Sequence, residues 1–324
     1  MFFSYFLEAT KHLPASSTYQ VLVGKRTATT LFFSFQHGLD PFFNSLPNLK
    51  KSDYQRVREN SQTSGPPQEA LWTLAKGRVG YLPIKHRQVR ENALLSWLQA
   101  LSYLAHGQHQ VAPLYQHEPS LQWVRWFLQA YRSELSYASI YQEWLGLLAS
   151  LPKPLDAWLM ALFFGYELPP MLLADWPPGV HWPRAERQFL REAALDYCYQ
   201  YFIWGTSATL TGEFLRAVAE GNPVWNASAT VTYQGILAGL TLPAIAQARK
   251  LKESTIADHF IEIALRAPRL FLPIFKERIN EAPKRAPKDY ATFTAHYPEE
   301  PYWLFRYWHI LKIYEERGEA FDLE

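Results

Sequence analysis

The chain has 324 residues and a formal net charge of +2, with 48% hydrophobic and 19% charged residues. This composition excludes a disordered chain and supports two or three globular domains. The single cysteine, Cys198, excludes an internal disulfide and a thiolate metal cage, as expected of a cytoplasmic protein. No stretch approaches about 18 apolar residues, and Glu8 interrupts the apolar N-terminus. We therefore expect neither a membrane span nor a signal peptide.

Strand signals are scarce along the whole chain, since alternating β-branched runs are few and Asn-Gly or Asp-Gly turns are absent. The sequence therefore predicts a mostly α protein of multi-helical bundle domains with a C-terminal helix-turn-helix module, with or without a wing. The run from Ser61 to Pro67 is the clearest linker, and Gly221-Asn222-Pro223 breaks the chain again. These breaks predict an N-terminal helical segment (1–60), a Trp- and Pro-rich helical middle domain (66–222) and a helix-turn-helix domain with an acidic tail (223–324).

Near the N-terminus, Gly24-Lys25-Arg26-Thr27 resembles part of a phosphate-binding loop. A Walker A loop needs a second glycine five residues before Gly24, where Tyr19 stands instead. The string is better interpreted as a helix start with two exposed cations.

The sequence gives little evidence for a catalytic or metal-binding site. His106, His109 and His117 cluster around Gly107, a helix-end residue, and favour a solvated loop over a metal site. Glu299 and Glu300 lie between prolines, where an acid–base pair lacks the burial that raises one pKa. We expect a protein that is not an enzyme and uses neither metal nor cofactor.

The stretch from Gly239 to Leu265 carries the strongest pattern. Thr241 is placed as the N-cap of a short helix, and Leu251 is placed to plug the following turn. Ile256, Phe260 and Ile263 then recur at i, i+4 and i+7, which places them on one face of a second helix. Two short amphipathic helices joined by a tight turn indicate a helix-turn-helix.

The charges around this motif favour phosphate contact over base reading. Residues 240–290 hold ten Lys or Arg and six Asp or Glu. Seven residues of the second helix lie off its apolar face, three of them acidic and repelled by phosphates: Glu253, Ser254, Thr255, Ala257, Asp258, Ile261 and Glu262. The predicted DNA-binding residues, mostly at the turn and downstream, are Arg249, Lys250, Lys252, Ser254, Thr255, Arg266, Arg269, Lys284, Arg285 and Lys288.

The motif resembles the helix-turn-helix module of some RecQ-type helicases and of the YpbB-like proteins of Firmicutes, which are associated with such helicases. The matching residues are Gly239, Leu242, Ile245, Ala246, Arg249, Leu251, Ser254, Thr255, Ile256, His259 and Phe260. Residues 297–310 and 21–32 are similar to further segments of that family. Lys252 departs from the pattern, because family members often have a serine or threonine cap there.

The resemblance implies a non-enzymatic DNA-binding accessory protein that acts with a RecQ-like helicase in recombination or repair. The residues leave two alternatives open. One is a protein-interaction scaffold without DNA affinity, which a co-purified helicase and an absence of DNA binding would indicate. The other is a transcription regulator, which the acidic second helix disfavours and which should select a consensus site from random DNA. Salt-sensitive DNA binding, weakened by replacing Arg249, Lys250 and Lys252 with alanine, is expected of the leading hypothesis.

Overall fold

The computed structural model describes residues 2–60, 69–172, 174–177, 183–205, 209–279 and 281–318. These residues form α-helices and short 3-10 turns without any β-strand, which confirms the mostly α fold class. The helices are α1 (Phe2–Ala9), α2 (Ala15–Leu22), α3 (Ala28–Gln36), α4 (Lys51–Asn60), α5 (Glu69–Lys76), α6 (Ile84–Ala105), α7 (Glu118–Ala130), α8 (Tyr137–Ser150), α9 (Leu155–Met160), α10 (Arg184–Trp204), α11 (Leu210–Gly221), α12 (Ala227–Leu237), α13 (Leu242–Arg249), α14 (Glu253–Ala264), α15 (Leu272–Arg278), α16 (Tyr290–His296) and α17 (Tyr302–Glu316). None of the described helices combines the length and apolar character needed to cross a membrane.

The chain forms two compact units, each built from two separate stretches. Unit 1 contains residues 1–15 and 48–223, and unit 2 contains residues 16–47 and 224–324. The division differs from the three predicted segments, because residues 1–60 do not form a unit of their own. The predicted linker at 61–67 and the last residues of the acidic tail, 319–324, lie outside the described residues.

Unit 1 is a helical bundle with an aromatic core and a buried ionic network. The Trp97 ring on α6 stacks on Phe214 of α11 at 4.7 Å and meets Phe127 of α7 edge-on. Three arginines and three carboxylates on or near α6 and α10 pair in the interior: Arg78, Arg87, Arg191, Glu91, Glu192 and Asp196. Because buried charges are tolerated only when paired, this network fixes how α6 and α10 pack.

Unit 2 is organised around α14, which packs against α3, α12, α13 and α17. The Phe260 ring lies 5.1 Å from Trp303 of α17 and 5.1 Å from Phe271 in a 3-10 turn. The Tyr314 hydroxyl of α17 donates to the Leu265 carbonyl at 2.8 Å. The described part of unit 2 has no strand, so no β wing accompanies the helices there.

Candidate nucleic-acid interface

The turn between α13 and α14 is closed by a paired hydrogen-bond pattern at the end of α13. The Lys250 N–H donates to the Gln247 carbonyl at 3.1 Å, and the Leu251 N–H donates to the Ala246 carbonyl at 3.0 Å. This is a Schellman motif, which requires a left-handed residue at Lys250. Lys250 adopts that conformation, with φ of 53°. Its side chain is exposed. Leu251, expected to plug the turn, is exposed because the backbone closes the turn without it.

All exposed residues of α14 lie in its first half, and its second half is buried. Lys252 is the N-cap, makes no side-chain capping bond and is exposed, as is Ser254, whereas Thr255 is half-buried. From His259 to Leu265 every residue is buried. The exposed residues of α14 therefore lie within its first six positions, a length of about 9 Å.

Two residues expected on the open face of α14 are instead inside unit 2. Ile261 is buried in the core. Glu262 accepts from Arg26 Nη2 at 2.7 Å and from the Asn226 N–H at 3.2 Å. The charge of Glu262 is neutralised by Arg26, which lies in the distant 16–47 segment. The prediction of two exposed cations at Lys25 and Arg26 is therefore wrong for Arg26, and of these two only Lys25 is exposed. The exposed acidic residues of α14 are Glu253 and Asp258.

The guanidinium of Arg249, one of the predicted DNA-binding residues, is engaged within unit 2 and is not turned towards solvent. Nη1 donates to the Ser228 carbonyl at 2.8 Å and to the Thr232 hydroxyl, and Nη2 donates to the Ser228 hydroxyl at 2.8 Å. The Thr232 hydroxyl also lies 2.8 Å from Nδ1 of the buried His259. Arg249 thus ties α13 to α12 and α14, which makes it a structural residue of the motif.

This network keeps His259 neutral. Burial lowers the pKa of His259, and the Arg249 guanidinium, 3.4 Å from Nδ1, lowers it further. A ring nitrogen facing an arginine donor must act as an acceptor, so the ring proton belongs on Nε2.

The downstream cations differ in whether they form a salt bridge and in how exposed they are. Arg266 pairs with Asp40 at 3.0 Å and Arg285 with Glu281 at 2.9 Å, although the Arg285 side chain is largely exposed. Arg269, Lys284 and Lys288 are exposed. All ten predicted residues lie in unit 2, but Arg249 and Arg266 have half-buried side chains engaged within the protein.

The other candidate catalytic and metal-binding side chains are engaged within the fold. Glu300 pairs with Arg278 at 3.0 Å, and the Cys198 thiol is buried, which raises its pKa. His106 Nδ1 donates to the Ser102 carbonyl at 2.8 Å. Among the described residues, no group of three His, Cys, Asp or Glu side chains could hold a metal ion.

Comparison with known families identifies this region as a helix-turn-helix domain. Residues 228–286, from α12 to the basic segment after α15, match the profile of a family of that description. No curated protein and no solved structure matches the chain. The matched segment does not include α3 or α17, the two helices that cover the buried end of α14.

Sequence reasoning missed the residues that hold the motif together. Ser228 and Thr232 lie four residues apart on α12, a spacing that could have indicated a shared polar face for Arg249. Nothing local links Arg26 to Glu262, because the two lie more than 200 residues apart in the chain.

Proposed function

We propose that this protein is a non-enzymatic DNA-binding protein whose α13–α14 turn and downstream basic segment contact backbone phosphates. The helix-turn-helix match supports the DNA-binding part of the proposal. We further propose that it acts as an accessory factor beside a RecQ-like helicase in recombination or repair. That part rests on the similarity of residues 239–260 to the module of those helicases.

The conformation of Lys250 is the observation that carries the proposal. Within the described residues, four other helices end with the same paired hydrogen bonds, and each has glycine at the left-handed position: Gly24, Gly38, Gly107 and Gly239. Only glycine adopts this conformation freely, and another residue costs roughly 1 kcal/mol or more. Among the described residues Asn44 and Glu167 share this backbone conformation, but of the three only Lys250 ends a helix with these paired hydrogen bonds. A lysine at the tip of the turn is explained if its charge has a ligand.

The start of α14 complements this charge. The first N–H groups of a helix lack partners within the helix and carry a partial positive charge that favours phosphate. Here the N-cap Lys252 supplies no side-chain acceptor to them. The exposed carboxylates of Glu253 and Asp258 repel phosphates along the helix surface. A phosphate is therefore best accommodated at the turn.

We test this site by replacing Lys250 and Lys252 with alanine in the full-length chain. Fluorescence anisotropy with labelled duplex DNA over a salt series should show weaker binding. The slope of log K against log salt should decrease by about 2, since each lost phosphate contact removes about 1. The matched control replaces the exposed lysines Lys50 and Lys51 of unit 1 with alanine.

Equal losses in both double variants would mean that only net charge matters, and would contradict the assignment of the turn. A wild-type chain without DNA affinity at low salt would reject DNA binding itself and would favour the scaffold alternative. Arg249 is left out of the variant, because its loss would disturb the packing of α12, α13 and α14.

A further inference from the structure

A small open pocket lies in unit 2, between the segment that follows α15 and helix α16. Its volume is about 290 Å³. Ligand sites range upward from about 300 Å³, so this pocket suits a single small ring system. We call it the α16 pocket, and the side chains that give it its character are Glu281, Arg285, Phe293, His296, Tyr297 and Trp308.

One side of the α16 pocket is aromatic. The Tyr297 ring lies 5.5 Å from the Phe293 ring and 6.0 Å from the Trp308 ring. Trp308 Nε1 donates to the Ala282 carbonyl at 3.2 Å, which ties the aromatic side to the segment after α15. Phe293 and Trp308 are buried, whereas Tyr297 is half-buried. A flat ligand ring can therefore pack against Tyr297 in this pocket.

The polar groups of the α16 pocket are mainly acceptors. The Glu281 carboxylate accepts from Arg285 Nη1 at 2.9 Å and, as a carboxylate, has further lone pairs to offer. His296 Nδ1 donates to the Thr292 carbonyl at 2.9 Å, so Nε2 of the neutral ring is an acceptor. A ligand that satisfies both groups must bring hydrogen-bond donors.

The charges inside and beside the pocket narrow the ligand further. Lys284 and Lys288 are exposed and adjoin the lining residues Arg285 and Pro287 in the chain. These cations disfavour a positively charged ligand, and Glu281 disfavours an anionic group inside the pocket. The fitting ligand has an uncharged ring with amino donors, joined to an anionic group that stays outside near the lysines.

A nucleotide has this distribution of groups. Adenine, cytosine and guanine carry an exocyclic amino group and thymine does not, and carboxylates accept from the cytosine amino group. A base that is stacked and paired in a duplex cannot enter a pocket, but an unpaired base can. Cations beside aromatic side chains are the usual combination in proteins that bind single strands. We infer that the α16 pocket binds an unpaired, amino-bearing base of single-stranded DNA, with the adjoining phosphates at Lys284 and Lys288.

Fluorescence anisotropy of the full-length chain with labelled oligo(dC) and oligo(dT) of equal length tests this inference. Both strands carry the same phosphates, but only cytosine has an amino group. Oligo(dC) should bind at least about fivefold more tightly, the smallest effect expected of a good pair of hydrogen bonds to a base.

Glu281→Ala should bring the ratio of the two affinities towards one. Loss of a carboxylate strengthens the binding of any DNA, so the ratio and not the affinity is the measurement that matters. Glu299→Ala is the matched control, because Glu299 is an exposed glutamate of unit 2 outside the pocket lining, and it should keep the wild-type ratio.

A second variant narrows the pocket without a change of charge. Thr292 is exposed and lines the pocket, so Thr292→Leu should weaken the binding of oligo(dC) severalfold. Ala291→Leu makes a similar change at an exposed neighbouring position outside the lining and should not weaken it. Circular dichroism with thermal melting confirms that each variant folds.

The inference rests on the proposed DNA binding and can fail separately from it. Equal wild-type affinities for oligo(dC) and oligo(dT), with duplex binding intact, would overturn the inference alone. A preference for oligo(dC) that survives both Glu281→Ala and Thr292→Leu would overturn it as well. Displacement of oligo(dC) by deoxycytidine monophosphate at equal nucleotide concentration would make this a site for a free nucleotide, against the inference. A chain without affinity for either kind of DNA would reject the proposed function together with the inference.

Discussion

Arg249 and Lys250 are neighbours in a basic stretch and have opposite roles. The Arg249 guanidinium is engaged by Ser228 and Thr232 of α12, whereas the Lys250 side chain is exposed on a left-handed backbone. Composition alone cannot separate them, since both are cations next to a turn. The difference arises because Arg249 is the last residue of α13 and is directed towards α12, while Lys250 begins the turn.

At the residue scale, acid is expected to destabilise unit 2 through His259. Burial and the Arg249 guanidinium lower the pKa of His259, although Glu262 and Asp258 oppose this. The folded state therefore keeps the ring neutral where the unfolded chain, with a pKa near 6.5, takes up a proton. The contribution of His259 to the free energy of unfolding is fully present above pH 6.5 and is lost as the pH decreases towards the lowered pKa. Thermal melting between about pH 7.5 and about pH 5.5 measures the loss.

The matched variants for this prediction are His259→Asn and His296→Asn. Asparagine keeps an acceptor for Thr232 but does not titrate, so His259→Asn should show a smaller decrease of Tm with acid than the wild type. His296 is exposed, and His296→Asn should keep the wild-type decrease. Burial also lowers the pKa of His309, so some pH dependence should persist in both variants. An unchanged pH dependence in His259→Asn would contradict the role given to this histidine.

At the scale of elements, α14 combines an exposed start with a buried end. The end is covered by α3 and α17, and its Glu262 is paired with Arg26. The segment that matches the helix-turn-helix family, residues 228–286, contains none of these partners. The buried second half of α14 also limits how far this helix can enter a groove of DNA, to about two turns.

We therefore expect residues 228–286 alone not to fold, because Glu262 and the apolar residues around Phe260 would be left without partners. A chain that links residues 16–47 directly to 224–318 should fold cooperatively. Circular dichroism and the dispersion of amide signals in NMR spectra distinguish the two. A folded 228–286 fragment with native stability would show that α3 and α17 are dispensable.

At the scale of the whole molecule, sequence reasoning succeeded where the signal is local. The Thr241 cap and the spacing of Ile256, Phe260 and Ile263 placed α13 and α14, and the structure confirms both helices. The pairing of distant segments left no local trace. Residues 1–15 join unit 1 through contacts such as Phe3 with Phe189, while residues 16–47 join unit 2.

The same limit explains the errors at the candidate site. Periodicity assigned Ile261 and Glu262 to the open face of α14. That assignment assumes that α14 is packed on one side only, so that residues off the apolar face are exposed. α14 is packed on several sides, by α3, α12, α13 and α17, and its later turns have no open face. Sequence charge likewise indicated a basic region, but the engagement of Arg249 and Arg266 depends on Ser228 and Asp40, which only the fold brings close.

The substitution Lys250→Gly tests the central claim, that the lysine at this turn is present to bind DNA. Glycine relieves the left-handed backbone, so Lys250→Gly should be as stable as the wild type or up to about 1 kcal/mol more stable. Its affinity for duplex DNA should fall, with a salt slope lower by about 1. Glu167→Gly makes the same backbone change in unit 1, where Glu167 has φ of 59°, and should leave DNA binding unchanged. A Lys250→Gly protein that binds DNA with wild-type affinity and salt slope would contradict the claim.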